Sequence, residues 1–114
     1  VGGTNSSIVS VTALARGAPV IVTDASYNVP SNVNWIICNY TGGPLTISLP
    51  YGAEYTGREI TIRNITTNAV NSNASNIILN GVISSTILMA GISGLWVTMV
   101  CDGTTNWIVL QDNY

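Results

Sequence analysis

Apolar and polar residues alternate along most of this chain with the period of two that marks a half-buried strand. Residues 7–14 set Ile8, Ser10, Thr12 and Leu14 on one face against Val9, Val11 and Ala13 on the other. A turn at 16–19, carrying Gly17 and Pro19, leads to a strand over 20–23. Further strands are predicted over 34–40, 45–49, 59–65, 76–79, 84–89, 95–101 and 106–110. In the clearest of them Ile60 and Ile62 point inward while Glu59, Thr61 and Arg63 point out. Ile65 breaks that register, which predicts a bulge or a strand end near Asn64. Gly and Pro punctuate the connections at 41–44, 90–94 and 102–105, and Asn80-Gly81 suits a two-residue hairpin turn. The stretches 24–32, 50–57 and 66–75 read as loops, and no segment holds a 3.6-residue period for ten residues.

Some nine short strands at roughly ten-residue spacing predict an all-β, antiparallel β-sandwich, jelly-roll-like in architecture. The 114 residues suit one hydrophobic core, so residues 1–114 are read as a single domain. Ile, Val and Thr together supply 39 residues, and β-branched side chains favour the pleated sheet.

Charge changes the picture most. Only Arg16, Arg58, Arg63, Asp24, Glu54, Glu59, Asp102 and Asp112 ionise near neutrality, 7% of the chain, against about 25% in ordinary soluble proteins. Asn, Thr and Ser supply 37 residues instead, so the polar surface is built from neutral amides and hydroxyls. Three Arg against five acids make no basic stripe, so nucleic acid is not an expected partner. With no His, histidine catalysis and histidine metal ligation are excluded. No apolar run approaches the roughly 20 residues of a membrane helix, and membrane insertion is not expected. A mean hydropathy of +0.40 opposes disorder. The chain opens on Val1 without a signal-like segment and reads as a C-terminal piece of a longer protein.

Cys38 and Cys101 both sit in apolar, strand-like runs, which fits two buried free thiols. A disulfide would need them on neighbouring strands with Cα atoms about 5.5 Å apart. Two thiols without a CxxC pair make no metal site, and no cofactor is expected. Asn5, Asn39, Asn64 and Asn73 head N-x-S/T sequons, which matter only in a protein secreted through a eukaryotic pathway.

Catalysis would have to come from carboxylates. Glu54 and Glu59 are the closest pair, and a glycosidase needs two such groups about 5–9 Å apart. An ion pair between Glu59 and the neighbouring Arg58 or Arg63 explains that residue more simply, and Ser and Thr have no His or Lys as a base. No catalytic residue is assigned. Carbohydrate recognition fits the composition better, since it uses an aromatic face for the sugar's C–H patch and amides, hydroxyls or Arg for its hydroxyls. Loop 50–58 offers Tyr51, Glu54, Tyr55 and Arg58; loop 24–32 offers Tyr27, Asn28 and Asn32. The alternative is that these tyrosines pack on the sheet edge or between subunits. Trp35, Trp96 and Trp107 lie in strands and are expected in the core or an interface.

The second half carries a resemblance. Gly43-Pro44-Leu45-Thr46-Ile47-Ser48-Leu49-Pro50 is followed, after a short loop, by Gly57-Arg58-Glu59-Ile60-Thr61-Ile62-Arg63-Asn64. This resembles a segment frequent in bacteriophage tail-fibre and tailspike proteins: a strand, LP, a loop, then G-R/K-x-I-x-I-K/R-N. Ile77-Ile78-Leu79-Asn80-Gly81, Ile87-Leu88-Met89-Ala90-Gly91 and Val97-Thr98-Met99-Val100-Cys101-Asp102-Gly103-Thr104-Thr105-Asn106-Trp107 continue it. Asn80 stands where that family commonly has Asp, Cys101 where it has Ser, and one extra Thr lengthens the last turn. The resemblance covers residues 35–110. It implies a virion-attached β module, commonly homotrimeric, at a fibre tip or behind a polysaccharide-degrading tailspike. The expected partners are then two further copies of the chain and a host cell-surface glycan or protein receptor, met outside the cell. Two other readings are a trimerisation or capping module that binds nothing, and a carbohydrate-binding module of a hydrolase.

Overall fold

The computed structural model describes residues 18–79, 82–85 and 87–114. The strand expected over 7–14, the start of the 16–19 turn, the Asn5 sequon and the Asn80-Gly81 turn lie outside them. The described strands are, in order, β1 Val20–Val22, β2 Ser26–Asn28, β3 Trp35–Cys38, β4 Leu45–Ser48, β5 Glu59–Asn64 and β6 Val70–Ser72. They continue as β7 Ile77–Leu79, β8 Val82–Ser85, β9 Ile87–Met89, β10 Trp96–Cys101 and β11 Trp107–Asp112. One sheet has seven strands in the order β1-β3-β5-β10-β11-β7-β8, the other four in the order β9-β6-β4-β2. The all-β, two-sheet architecture is as expected.

The antiparallel, jelly-roll-like pairing is corrected. β1, β3 and β5 run parallel in the large sheet, as do β2, β4 and β6 in the small one, and β7 runs parallel to β11. Only β5–β10, β10–β11, β7–β8 and β6–β9 are antiparallel among the described pairs. The cause is the path of the chain. Its first six described strands alternate between the sheets, so each return enters a sheet in the same direction. Parallel neighbours need a long crossover, and here the crossover is the other sheet. The result is three stacked coils closed by antiparallel strands.

Two short strands, β2 and β6, fall where loops were expected. Ser26-Tyr27-Asn28 and Val70-Asn71-Ser72 are too short and polar to show alternation; their main chains are strands because they pair with β4. The single strand expected over 84–89 is two, since β8 belongs to the large sheet and β9 to the small one.

Ile60 and Ile62, predicted to point inward, are buried in the core. Ile36, Ile62 and Val97 lie opposite one another on β3, β5 and β10, all fully buried. Each such burial stabilises by about 1.5–3 kcal/mol. They meet Leu45, Ile47, Val70, Leu88 and Met89 of the small sheet in one cluster. Trp107 is fully buried there. Trp35 and Trp96 sit out of phase with buried Ile36 and Val97 and face the other way, half-buried. Cys38 and Cys101 are free and buried, so the disulfide alternative falls. Burial pushes the Cys38 thiol up to about 12, which keeps it protonated at neutral pH.

The expected break near Asn64 is a strand end with a purpose. Asn64 continues the inward phase of β5 and is fully buried, while Ile65 turns out to solvent. Asn64 Nδ2 donates to the Asn68 carbonyl at 2.8 Å and the Ala90 carbonyl at 3.4 Å. Its Oδ1 accepts from Thr66 N at 3.0 Å and Thr66 Oγ1 at 2.9 Å. One amide therefore holds the corner 64–68 to the turn at Ala90. A Cβ on Gly91 would lie 2.4 Å from the Thr67 carbonyl oxygen, so that approach requires glycine.

Candidate functional site

Because β2, β4 and β6 are parallel neighbours, the three crossovers that leave them emerge at one end of the molecule. These are residues 29–34, 49–58 and 73–76. Val29 N–H donates to the Ser48 carbonyl and Asn73 N–H to the Ile47 carbonyl, each at 3.1 Å, which ties the crossovers together at their roots. The two loops singled out in the sequence are thus adjacent on a single rim.

The middle crossover is long yet firmly held. Its tip is a 3-10 turn, Ala53–Tyr55, closed by Thr56 and Arg58 N–H groups donating to Ala53 and Tyr55 carbonyls. Gly52 N–H reaches the Thr104 carbonyl and Gly57 N–H the Cys101 carbonyl, both at 2.9 Å, while Cys101 N–H returns to the Arg58 carbonyl. Trp107 Nε1 donates to the Pro50 carbonyl at 2.9 Å. The 102–105 turn beneath is itself fastened. Asp102 Oδ1 accepts from Thr104 Oγ1 at 2.6 Å and Thr104 N at 2.8 Å, and these bonds hold its carboxyl below the usual range. Gly103, at φ +87°, is the close approach here, since a Cβ would lie 2.4 Å from Thr56 Oγ1.

Arg58 joins this loop to the first crossover. Its Nη2 donates to the Pro30 carbonyl at 2.9 Å and to the Val33 carbonyl. The Tyr55 ring centroid lies 5.8 Å from its Cζ, a cation–π distance. Its Nη1 is buried with no hydrogen-bond partner among the described residues. The guanidinium's bonds go to main-chain carbonyls, and the ion pair with Glu59 expected from the sequence is not what positions it. Beside Arg58 opens a cleft of about 520 Å³, lined also by Ser31, Asn32, Asn34, Glu59 and Thr61. That volume falls in the ordinary range of small-molecule pockets, about 300–1,000 Å³. Four neutral amides and hydroxyls, one guanidinium and one carboxylate line it, a set that donates to and accepts from a polyhydroxylated ligand.

The other predicted residues are distributed as follows. Tyr55 is half-buried against the core and under Arg58, so it positions the guanidinium without lining the cleft. Glu54 is exposed in the 3-10 turn and lines neither cleft. Tyr27 packs half-buried on the core from β2, and Asn28 is exposed on that edge strand. Tyr51, 61% exposed, lies on the far side of the middle crossover. There it lines a second cleft of about 350 Å³ with Ser48, Leu49, Asn73, Asn76 and Thr105. Asn34, Glu59 and Thr61 were missed as cleft residues; they flank or occupy strands, and no local signal shows which crossover faces them.

Among the described residues no three His, Cys, Asp or Glu side chains gather as metal ligands, and no helix is long and apolar enough to cross a membrane. Compared with models of known protein families and with curated proteins, the chain matches none.

Proposed function

We propose that this chain is the binding module of a virion fibre or spike, acting outside cells, and that it attaches the particle to a host-surface glycan or glycan-bearing receptor. The observation that carries the reading is the meeting of crossovers 29–34 and 49–58 at Arg58, which makes one polar cleft from two loops. The tail-fibre resemblance of residues 35–110 supports the viral setting, and the low charge supports recognition by amides and hydroxyls. Glu59 is the one carboxylate lining the cleft, whereas glycoside hydrolysis uses two, which favours binding without turnover. The same chemistry would serve a carbohydrate-binding module of a hydrolase, and host labelling separates the two settings.

The test is an array of bacterial surface polysaccharides probed with the labelled chain. Arg58→Lys is expected to weaken the best hit by about tenfold or more, because an ammonium cannot reproduce the planar guanidinium that lies over Tyr55, holds the Pro30 and Val33 carbonyls and shapes the cleft wall. Asn32→Ala should weaken it with the melting temperature unchanged. A chain that labels neither polysaccharide nor host cells would overturn the reading.

A second reading, a homotrimeric scaffold, is favoured by one face. The outer side of the large sheet carries Ile21, 59% exposed, and Leu110, 51% exposed, beside half-buried Trp35, Ile37, Trp96 and Val100. These apolar side chains flank the outward-facing Glu59, Thr61 and Arg63 of β5, and exposed apolar residues set among polar ones mark an interaction site. Three copies burying it would give the trimer, and light scattering after size exclusion is expected to read three times the monomer mass. Ile37→Lys should reduce that to one; a wild-type monomer sinks this second reading and leaves the first standing.

A further inference from the structure

We infer that a second saccharide site lies on the other flank of the middle crossover, at Tyr51, and that it takes a neutral pyranose ring. The inference extends the glycan reading to a separate cleft and does not require the Arg58 cleft to be filled.

The rim has two gaps between its three stacked crossovers. The first gap holds the Arg58 cleft; the second, between 49–58 and 73–76, holds the Tyr51 cleft. Their chemistry differs. Arg58 and Glu59 put charge of both signs in the first, whereas Ser48, Asn73, Asn76 and Thr105 line the second with neutral hydroxyls and amides. An anionic ligand would find no cation among those lining residues, and a cationic one no carboxylate.

Tyr51 supplies the remaining requirement. A pyranose presents an apolar C–H face as well as hydroxyls, and an accessible ring is the surface that face stacks on. Tyr51 is 61% exposed, but its main chain is held on both sides. The Pro50 carbonyl accepts from Trp107 Nε1, and Gly52 N–H donates to the Thr104 carbonyl, each at 2.9 Å. Its exposure is therefore a fixed feature of the rim, and the ordering entropy of the main chain is already met before a ligand arrives. Leu49 and Ala74 extend the apolar side of the cleft.

Asn76 supplies a polar anchor. It is 4% exposed yet lines the cleft. Its Oδ1 accepts the Ser72 hydroxyl at 2.6 Å, and that hydroxyl accepts Ala74 N–H at 3.3 Å. That bond holds the Asn76 side chain in the wall of the cleft, where an amide is a group that can bind a sugar hydroxyl. The Asn76 main chain is fixed as well, because its carbonyl accepts Trp107 N–H at 2.8 Å.

The experiment is amide-resolved NMR of the whole chain titrated separately with maltopentaose, cellopentaose and chitopentaose at millimolar concentration. At least one of these neutral oligosaccharides is expected to shift the amides of Asn73, Asn76 and Thr105. Tyr51→Ala should weaken that binding about tenfold, the loss of one stacked ring. Tyr51→Phe, which keeps the ring, should stay within about threefold, as should Glu54→Gln, which lines neither cleft. Unchanged melting temperatures separate these losses from unfolding. If none of the three sugars moves those amides, the site is refuted. It is equally refuted by shifts confined to the Arg58 cleft, an outcome that keeps the attachment reading. Shifts at Tyr51 that track protein concentration without sugar would assign the patch to a second copy of the chain, and the saccharide site falls.

Discussion

Trp107→Ala is expected to destabilise the chain by about 4 kcal/mol, the cost of truncating a large buried aromatic. Trp107 is fully buried, flanked by Cys101 on β10 and by Ile77 on β7. Its loss opens a cavity where antiparallel and parallel pairings of the large sheet meet. It also strips the half-buried Pro50 carbonyl of its donor, and the loss of such a hydrogen bond adds about 1 kcal/mol. In a chain of this size the melting temperature should fall by roughly 15 °C or more. Trp107→Phe separates the two contributions. It keeps most of the volume but not the bond, so it should cost about half as much. Because Pro50 roots the crossover between the clefts, the phenylalanine variant should also speed amide exchange at Gly52 and Gly57. Urea unfolding and hydrogen exchange read both effects. A Trp107→Ala chain within about 1 kcal/mol of the parent would show that this tryptophan is not the keystone argued here.

Asn64→Leu is expected to cost about 3 kcal/mol although leucine has similar volume and greater hydrophobicity. The substitution leaves the buried Thr66 N–H without its acceptor and takes one donor each from the Asn68 and Ala90 carbonyls, which keep the Thr66 hydroxyl and the Ile92 N–H. Buried polar groups left unpaired cost more than the added apolar contact returns. The corner 64–68 should loosen from the Ala90 turn, so exchange should quicken at Thr66 and Asn68 before the rest of the core opens. Asn64→Ala tests the same point without the bulk. If either variant melts with the parent, the network is ornamental and the fold rests on its apolar columns alone.

These two residues differ in how well the sequence announces them. Trp107 stands in an alternating strand and reads as core or interface. Asn64 reads only as a break in the Ile60, Ile62 rhythm, because a buried asparagine looks like a turn residue until its partners are known. The candidate site divides in the same way. Arg58 and Tyr51 stand out as a charge and an aromatic in a Gly- and Pro-bounded loop, and both line clefts. Glu54 stands out for the same reason and lines neither, since side-chain direction in a 3-10 turn depends on what the turn packs against. Asn34 and Thr61 carry no mark at all. They enter the Arg58 cleft because Thr61 N–H pairs with the Asn34 carbonyl at 2.9 Å across two strands distant in sequence.

From its sequence alone this chain is all-β, with most of its strands, the inward face of β5, the terminal hairpin and the neutral surface already determined. Those properties are local: alternation reports which side of a strand meets the core, and turn residues report where it stops. Strand direction and partner are not local. The polar segments β2 and β6 become strands only by pairing with β4, and parallel stacking follows from a path that changes sheet at each step. That path brings three crossovers to one rim, with Arg58 between the first two and Tyr51 between the last two. Where a side chain points was largely written in the sequence; what it points toward was decided by the coiling of the chain.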